Sequence, residues 1–164
     1  MLNDLHTTLQ SLRQGQTSAC DEMANAIAVA QSSCCDHVFL RTTFEEAKTT
    51  AKNPGPVTLP LAGLSVSVKD LFDVAGQTSC AGSVVLSATP VARQDALAVA
   101  RLRAAGAAFI GRTNMTEFAF SGVGINPHFG TPINAVLTDQ PRIPGGSSRS
   151  EERRVGKECL RLCR

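Results

Sequence analysis

The sequence is poor in aromatic residues: it has no tryptophan and no tyrosine, and phenylalanine alone makes up its aromatic content of 4%. Large rings therefore cannot fill the core, and packing has to rely on alanine, valine, leucine and isoleucine, which favours a layered α/β structure. With 164 residues, 43% of them hydrophobic, the chain has room for one domain of ordinary size.

Long apolar segments are also missing. No stretch approaches the roughly 18 consecutive apolar residues that a membrane-spanning helix needs. Met1 to Leu5 form neither the basic nor the apolar region of a secretion signal. We therefore expect no export, no membrane insertion and a cytoplasmic location.

Cysteine occurs without the patterns typical of metal sites. No pair is separated by two residues, and no spacing with histidine suits zinc. We expect reduced thiols and no metal centre. The six cysteines are Cys20, Cys34, Cys35, Cys80, Cys159 and Cys163.

The positive charge of the chain is confined to one end. The formal net charge is +2, but residues 149–164 alone carry +3, so the other 148 residues carry −1. A nucleic-acid-binding protein has basic residues clustered on a face or stripe of the fold. The pattern predicts no nucleic-acid partner, because a short charged tail is usually only solvated.

Hydrophobic periodicity predicts alternating helices and strands. Two helices are predicted in residues 1–32, the first ending at Gly15 and the second capped by Thr17 or Ser18. A short strand at 38–40, a helix from Thr43 to about Ala51 and a strand at 63–69 follow.

The next helix and strand predict a crossover. Asp95 is expected to cap the helix, and a strand at 107–110 follows Gly106, so the strand, helix, strand order favours a right-handed connection between parallel strands. The helix is expected to pack through Leu97, Ala100, Leu102 and Ala104.

Lys69 is the first candidate for chemistry. It ends the strand at 63–69, where apolar residues alternate with polar ones. A lysine that later parts of the chain enclose loses water, which lowers its pKa and makes it a candidate base. Judged alone, a lysine at a strand end is more often part of a solvated face.

The second candidate is the string Pro144-Gly145-Gly146-Ser147-Ser148. Its glycines allow unusual backbone angles and close approach to a substrate, and its serines offer hydroxyl groups. Judged alone, such a string is usually a linker or a turn. It belongs to a stretch, 121–148, that is rich in glycine, proline, asparagine and serine, and irregular stretches of this length inside a domain are often functional.

Three segments together resemble the amidase signature family, in the family's order and at about its spacing. The resemblance covers roughly Leu5 to Ser148. The segments are Leu61 to Asp70, with Gly76 beyond it; Gly111 to Phe120; and Pro144 to Ser148.

The resemblance implies an α/β fold, a mixed β-sheet flanked by helices, and a hydrolase of carboxylic amides. It implies a Ser, cis-Ser, Lys triad that works through an acyl-enzyme, without metal or organic cofactor. Lys69 matches the lysine and Ser147 the cis-serine. The family's nucleophile lies about two dozen residues further on, and no serine follows Ser150, so we expect this 164-residue chain to be inactive.

The resemblance also implies a substrate-binding segment, Ala119, Phe120, Ser121 and Gly122, on the acyl side of the site. Phe120 fits equally well as a core residue. Glu117 and His128 are titratable but match no catalytic position of the family. We expect His128 to be structural.

Residues 149–164 depart from the family, which has small residues there. A charged block cannot replace a buried helix of small residues. Arg149 to Cys159 matches one reading frame of a common short-read sequencing adapter. We therefore predict that 1–148 is the N-terminal part of an amidase domain and that 149–164 is a non-native tail.

The expected function of the parent protein is hydrolysis of a small-molecule amide. Two alternatives remain. One is the amidase subunit of a tRNA-dependent amidotransferase, which would pass released ammonia to a partner. The other, from a different class, is a non-catalytic binding fragment. The sequence identifies neither the amide nor the oligomeric state.

Overall fold

The computed structural model describes residues 4–134, 140 and 142–145. Helices and strands alternate along this part of the chain, with 3₁₀ turns at Ser33–Cys35 and Glu117–Ala119. The regular elements are α1 (Leu5–Arg13), α2 (Ala19–Ala30), β1 (Phe39–Thr42), α3 (Phe44–Lys52), β2 (Ser65–Lys69), α4 (Leu97–Ala104) and β3 (Ala108–Thr113).

The three strands form one mixed sheet in the order β1-β3-β2. β3 is central: it pairs antiparallel with β1 and parallel with β2. The chain between β2 and β3 contains α4, so the predicted parallel pair with an intervening helix is confirmed. Within the described residues, β2 has no strand on its other side. The expected α/β class, a mixed sheet flanked by helices, is also confirmed.

Two apolar clusters hold the helices to the sheet. The larger one joins Met23 and Ile27 of α2 and two alanines of α3 to Ala108 and Ile110 of β3. The smaller one joins Val99 of α4 to Val68 of β2 and to Val74. Both clusters use aliphatic side chains, as the shortage of aromatic residues requires.

The start of α2 follows the sequence prediction, whereas the start of α4 does not. The Ser18 side chain accepts a hydrogen bond from the Asp21 N–H and so caps α2. The N-cap of α4 is Ala96, so the prediction for Asp95 is wrong. Asp95 instead accepts from the Ala75 N–H at 2.8 Å and pairs with Arg103, because these tertiary partners satisfy its carboxylate.

The packing face predicted for α4 is also wrong. Val99 is the buried residue of this helix, while Leu97 is 67% exposed and Leu102 is at the border of exposure. The contacts of Val99 with Val68 and Val74 set the orientation of the helix. No helix in the described part of the chain is long and apolar enough to cross a membrane.

Candidate active site

Lys69 ends β2, beside Thr113 of β3. Its side chain is half-buried, and this burial lowers the pKa of its ammonium group from the ordinary value. The strand therefore brings the lysine to the edge of the sheet and removes part of its hydration. Burial at this position therefore favours the neutral form of Lys69 more than full exposure to water would.

Asp70, the next residue, fixes the end of the strand to the following loop. Its side-chain Oδ2 accepts a hydrogen bond from the Gly82 N–H at 2.9 Å, and its carbonyl accepts from the Ala81 N–H at 3.0 Å. Its own N–H donates to the Thr113 carbonyl at 3.3 Å. The backbone that carries Lys69 is thus held on two sides.

Gly82 is required at its position in this loop. Its φ of +66° lies in the left-handed region, and a Cβ there would stand 2.8 Å from the Met115 carbonyl oxygen. A side chain would be strained and would also collide with backbone. The loop can therefore approach the segment after β3 only with glycine at 82.

Arg112 forms a buried ion pair with Asp70. The distance from Arg112 Nη2 to Asp70 Oδ1 is 3.3 Å, and both side chains are less than 5% exposed. Desolvation raises the pKa of the Asp70 carboxyl group and lowers the pKa of Arg112. Both shifts express the cost of removing the two charges from water. Arg112 Nε and Nη1 have no hydrogen-bond partner among the described residues.

Sequence reasoning missed this pair, although both residues lie in the segments that carry the family resemblance. Nothing in the local pattern couples two charges so far apart in the chain. The available signal was a charged residue, Arg112, inside a strand that otherwise reads as buried.

Asn126 joins three parts of the site and is 1% exposed. Its Nδ2 donates to the carbonyls of Gly82 and Met115, both at 2.8 Å. Its Oδ1 accepts from the N–H groups of His128 and Phe129. The sequence indicated only an irregular stretch at 121–148, so this bridging role was missed.

Ser83, Glu117 and His128 form a second polar link. The fully buried Ser83 donates from Oγ to Glu117 Oε1 at 2.6 Å, and Glu117 Oε2 lies 3.4 Å from His128 Nε2. The hydrogen bond from Ser83, together with the nearby His128, lowers the pKa of Glu117. The hydroxyl of Ser83 points at a carboxylate rather than at an imidazole, so the three do not form a nucleophile and base.

The segment predicted to bind substrate lies at the surface of the described residues. Phe120 is 92% exposed, so it belongs to neither apolar cluster of the described residues. Ala119 and Gly122 are exposed as well, and Ser121 is half-buried. The segment therefore presents an apolar ring and a hydroxyl to its surroundings.

Three non-glycine residues with positive φ meet at this segment. They are Ala81 (51°), Phe118 (53°) and Ala119 (55°), and the Phe118 N–H donates to the Ala81 carbonyl at 2.8 Å. Non-glycine residues rarely adopt such angles, and strain of this kind clusters at functional sites. Because Ala81 is also bonded to Asp70, the strained segment is linked to the backbone next to Lys69.

Ser147 and Ser148 lie outside the described residues. Of the predicted site residues, the structure links the neighbourhood of Lys69 with Ala119 and Phe120 through Asp70, Ala81 and Phe118. Among the described residues, no group of three or more His, Cys, Asp or Glu side chains could hold a metal ion.

A cleft of about 630 Å³ lies elsewhere in the fold. Its lining includes Arg41 of β1, Glu46 of α3, Arg103 of α4 and the 74–77 loop, and Lys69 is not among the lining residues. This cleft is therefore separate from the candidate site around Lys69.

The structure is that of an α/β protein. A half-buried lysine ends one strand, and beside it lies a loop with positive φ angles that buried polar side chains hold in place. The amidase family model matches residues 18–149. The chain belongs to this family, the amidase signature enzymes.

Individual relatives agree with this assignment. The chain is 40% identical over 147 residues to AtzE, a subunit of 1-carboxybiuret hydrolase from Pseudomonas sp. (strain ADP), and the match covers 85% of this chain and 32% of the relative. It is 34% identical over 154 residues to a glutamyl-tRNA(Gln) amidotransferase subunit of Geobacillus thermodenitrificans, covering 90% and 30%. The chain therefore spans about a third of the length of these relatives.

A solved structure supports the fold. It comes from work on a vestigial protein complex and the origins of an s-triazine catabolic enzyme, and it matches with a TM-score of 0.82 and 38% identity. The match covers 90% of this chain and 33% of that one. The arrangement of helices around the mixed sheet is thus shared with a known member of the fold.

Proposed function

We propose that this chain supplies the lysine base and the cis-serine of a serine amidase that hydrolyses a carboxylic amide to an acid and ammonia or an amine. The observation that carries the proposal is the position of Lys69: it ends β2, is half-buried, and has its pKa lowered by burial. A neutral amine is a base and an ammonium group is not, so the lowered pKa favours the form that the reaction needs.

In this proposal the neutral Nζ of Lys69 takes a proton from Ser147, which in turn takes the proton of the nucleophilic serine. The nucleophile attacks the amide carbonyl, the relay returns its proton to the leaving nitrogen, the amine departs, and water hydrolyses the acyl-enzyme. Asp70 contributes by positioning Lys69: it accepts hydrogen bonds from the N–H groups of Ala81 and Gly82, and these bonds hold the end of β2. It is therefore a positioning residue.

The segment Ala119, Phe120, Ser121 and Gly122 is proposed to bind the acyl side of the substrate. Its support is the exposure of Phe120 together with the strained backbone of Phe118 and Ala119. A strained segment that its surroundings hold in place offers a defined surface to a ligand. The substrate in this proposal is a small amide, bound without a metal or an organic cofactor.

A second candidate is the amidase subunit of a tRNA-dependent amidotransferase. It is favoured by 34% identity to such a subunit over 90% of this chain. The two functions differ in where the ammonia goes. A hydrolase releases ammonia from simple amides when purified alone, whereas an amidotransferase subunit would depend on a partner that accepts the ammonia.

The pKa of Lys69 can be measured on this chain without any turnover. Reductive ¹³C-methylation labels the lysines for NMR, and Lys52, exposed at the end of α3, is the control. We expect the Lys69 signal to titrate below the ordinary lysine value of 10.5. Titration of the Lys69 signal at or above that value would contradict the proposal for Lys69.

The same shift predicts how stability depends on pH. The pKa of Lys69 is lower in the folded state than its ordinary value of 10.5, so the unfolded chain binds more protons between the two values. Stability should therefore rise with pH through that window. Lys69→Met should flatten this rise, which urea unfolding at a series of pH values would show.

Activity is tested in a protein in which a family-like nucleophile segment follows Ser148. Lys69→Ala and Ser147→Ala should each slow acylation by orders of magnitude, and their losses should not add, because the two residues share one proton relay. Lys52→Ala is the matched control. Near-normal acylation in either variant would remove that residue from the mechanism.

The 164-residue chain provides a further arm of this test. It has no serine after Ser150, and we propose that residues 149–164 take no part in the function. We therefore expect no amide turnover that depends on Lys69. Turnover that Lys69→Ala abolishes would show that the nucleophile lies within these residues.

A further inference from the structure

A pair of adjacent thiols lies away from Lys69, between α2 and β1. Cys34 and Cys35 belong to the 3₁₀ turn Ser33–Cys35, and their Sγ atoms are 3.9 Å apart. Cys34 is exposed and Cys35 is half-buried. The two sulfurs are therefore close enough for one bridging atom to contact both.

Ser32 orients the first of these sulfurs. Its Oγ lies 2.9 Å from Cys34 Sγ and also 2.6 Å from the Val29 carbonyl oxygen, to which the hydroxyl donates. The hydroxyl oxygen can then accept the thiol proton of Cys34. The side chain of Cys34 is thereby held in one direction at the end of α2.

We propose that Cys34 and Cys35 form a dithiol site that captures monosubstituted trivalent arsenicals and similar electrophiles that bind two thiols. This proposal does not depend on the amidase function.

A direct disulfide between these residues is disfavoured by the length of the backbone. Consecutive Cα atoms are about 3.8 Å apart, whereas disulfide-bonded Cα atoms are usually about 4.4–6.8 Å apart, and deviation from this range stores strain. An atom inserted between the two sulfurs removes the need for them to approach to bonding distance. The turn is therefore better suited to a bridging atom than to a disulfide.

The number of ligands selects the kind of atom. A structural zinc ion takes four protein ligands, and the described residues contain no group of three or more His, Cys, Asp or Glu side chains that could hold a metal ion. A monosubstituted arsenic(III) centre has three bonds, one of them to carbon. Two thiol ligands supply its other two bonds.

The capture step balances without an oxidant. With an organoarsenic(III) oxide, two arsenic–sulfur bonds form and two S–H bonds break. The arsenic–oxygen bond also breaks, and the oxygen leaves with both hydrogens as one water molecule. Arsenic stays trivalent and both sulfurs keep their oxidation state. The thiolate form is the nucleophile in each of the two bond-forming steps.

The turn leads directly into residues that anchor the candidate active site. The His37 carbonyl accepts a hydrogen bond from Asn114 Nδ2 at 3.0 Å, and His37 Nδ1 lies 3.1 Å from the Phe129 carbonyl oxygen. Phe129 is also bonded to Asn126. A ligand bound to Cys34 and Cys35 is thus covalently attached two residues before His37, one of these anchors.

Phenylarsine oxide is the probe for the test. All variants carry Cys159→Ser and Cys163→Ser, because these two residues lie outside the described part of the chain and could form a second pair. Intact-mass measurement should show one phenylarsenic group per chain. A dithiol such as 2,3-dimercaptopropanol should remove it, and an equal concentration of a monothiol should not.

Single substitutions locate the site. Cys34→Ser and Cys35→Ser should each weaken binding by about 100-fold or more, because loss of one arm converts a two-point attachment into a one-point attachment. Cys20→Ser is the matched control, since Cys20 is an exposed thiol on a neighbouring helix, and it should leave binding unchanged. Circular dichroism confirms folding, and Cys34→Ala gives a second variant at the exposed position.

Two results would overturn the proposal. One is binding of the probe by the Cys34 and Cys35 variants at parental strength. The other is a purified parent chain in which these two cysteines are joined as a disulfide, which peptide mapping would reveal as the loss of two hydrogens from one peptide.

Discussion

β3 is buried along most of its length, but its two halves have opposite kinds of neighbours. The first half, with Ala108 and Ile110, packs against apolar side chains of α2 and α3. The second half contains the buried Arg112 and leads into the buried Asn114, and their partners are a carboxylate and backbone carbonyl groups. One strand thus belongs to an apolar core at one end and to a polar network at the other.

The two halves of β3 contribute differently to the stability of the fold and to the positions of nearby groups. An apolar core tolerates exchange of side chains of similar volume, because its contacts have little direction. A buried polar group needs a partner at a set distance and angle, and an unmade hydrogen bond there is costly. The polar half therefore fixes the position of nearby backbone, including that of Lys69, more strictly than the apolar half does.

The largest expected effect comes from removing one member of the buried ion pair. Asp70→Ala leaves the Arg112 guanidinium uncompensated in the interior, which should reduce the free energy of unfolding by about 3–5 kcal/mol. The measurement is urea unfolding followed by circular dichroism. The double variant Asp70→Ala/Arg112→Met should lose less than Asp70→Ala alone, because no buried charge remains.

A double variant at least as unstable as Asp70→Ala alone would contradict this explanation. The loss would then come from the missing hydrogen bond from the Gly82 N–H rather than from the uncompensated charge.

The apolar half is tested by Met23→Ala. Met23 is 1% exposed in the cluster with Ala108 and Ile110, so the lost contacts and the resulting cavity should cost about 2–5 kcal/mol. Val29→Ala on the same helix is the control, since Val29 is 40% exposed. Met23→Leu should keep most of the stability that Met23→Ala loses, because leucine has a similar volume. No side chain of a different shape is expected to take over the contacts of Asp70. Equal losses for Met23→Ala and Val29→Ala would show that this cluster is not the core.

The sequence predicted elements with local signals better than it predicted polar contacts between elements. Alternation of apolar residues located β2 and its terminal lysine, and Ser18, the cap of α2, was one of the two caps predicted from local chemistry, with Thr17 as the other. The Asp95 cap was wrong because Asp95 bonds instead to Ala75 and Arg103, partners that a local pattern does not show. For the same reason neither the Asp70–Arg112 pair nor the bridging role of Asn126 could be predicted.

Family resemblance supplied what periodicity could not. Lys69 and the segment from Ala119 to Gly122 were selected as site residues through motifs, and local physics alone favoured a solvated lysine. The structure adds a physical reason for the choice of Lys69, since its burial lowers the pKa. Its catalytic role stays a prediction, as does the role of Ser147.

The smallest expected effect comes from Asn126, an uncharged residue of the polar network. Asn126→Ala removes two donors and one acceptor and leaves the carbonyls of Gly82 and Met115 without that partner, which should cost about 1–3 kcal/mol. The loss should be local. Hydrogen exchange should become faster at the His128 amide, which loses its acceptor, and at the Gly82 amide, whose bond to Asp70 opens more easily once the Gly82 carbonyl loses its anchor. The Ala47 amide of α3, beside the apolar core, should keep its protection.

Asn126→Asp separates the two sides of the bridge. The aspartate keeps an oxygen that can accept from His128 and Phe129, but its second oxygen replaces the amide donor and faces the carbonyl oxygens of Gly82 and Met115. We therefore expect exchange to become faster at Gly82 and to change little at His128. If both amides exchange faster by the same factor in Asn126→Asp, the bridge acts as one cooperative unit. Uniform loss of protection across α3 as well would mean that the polar half and the apolar half of β3 are not independent.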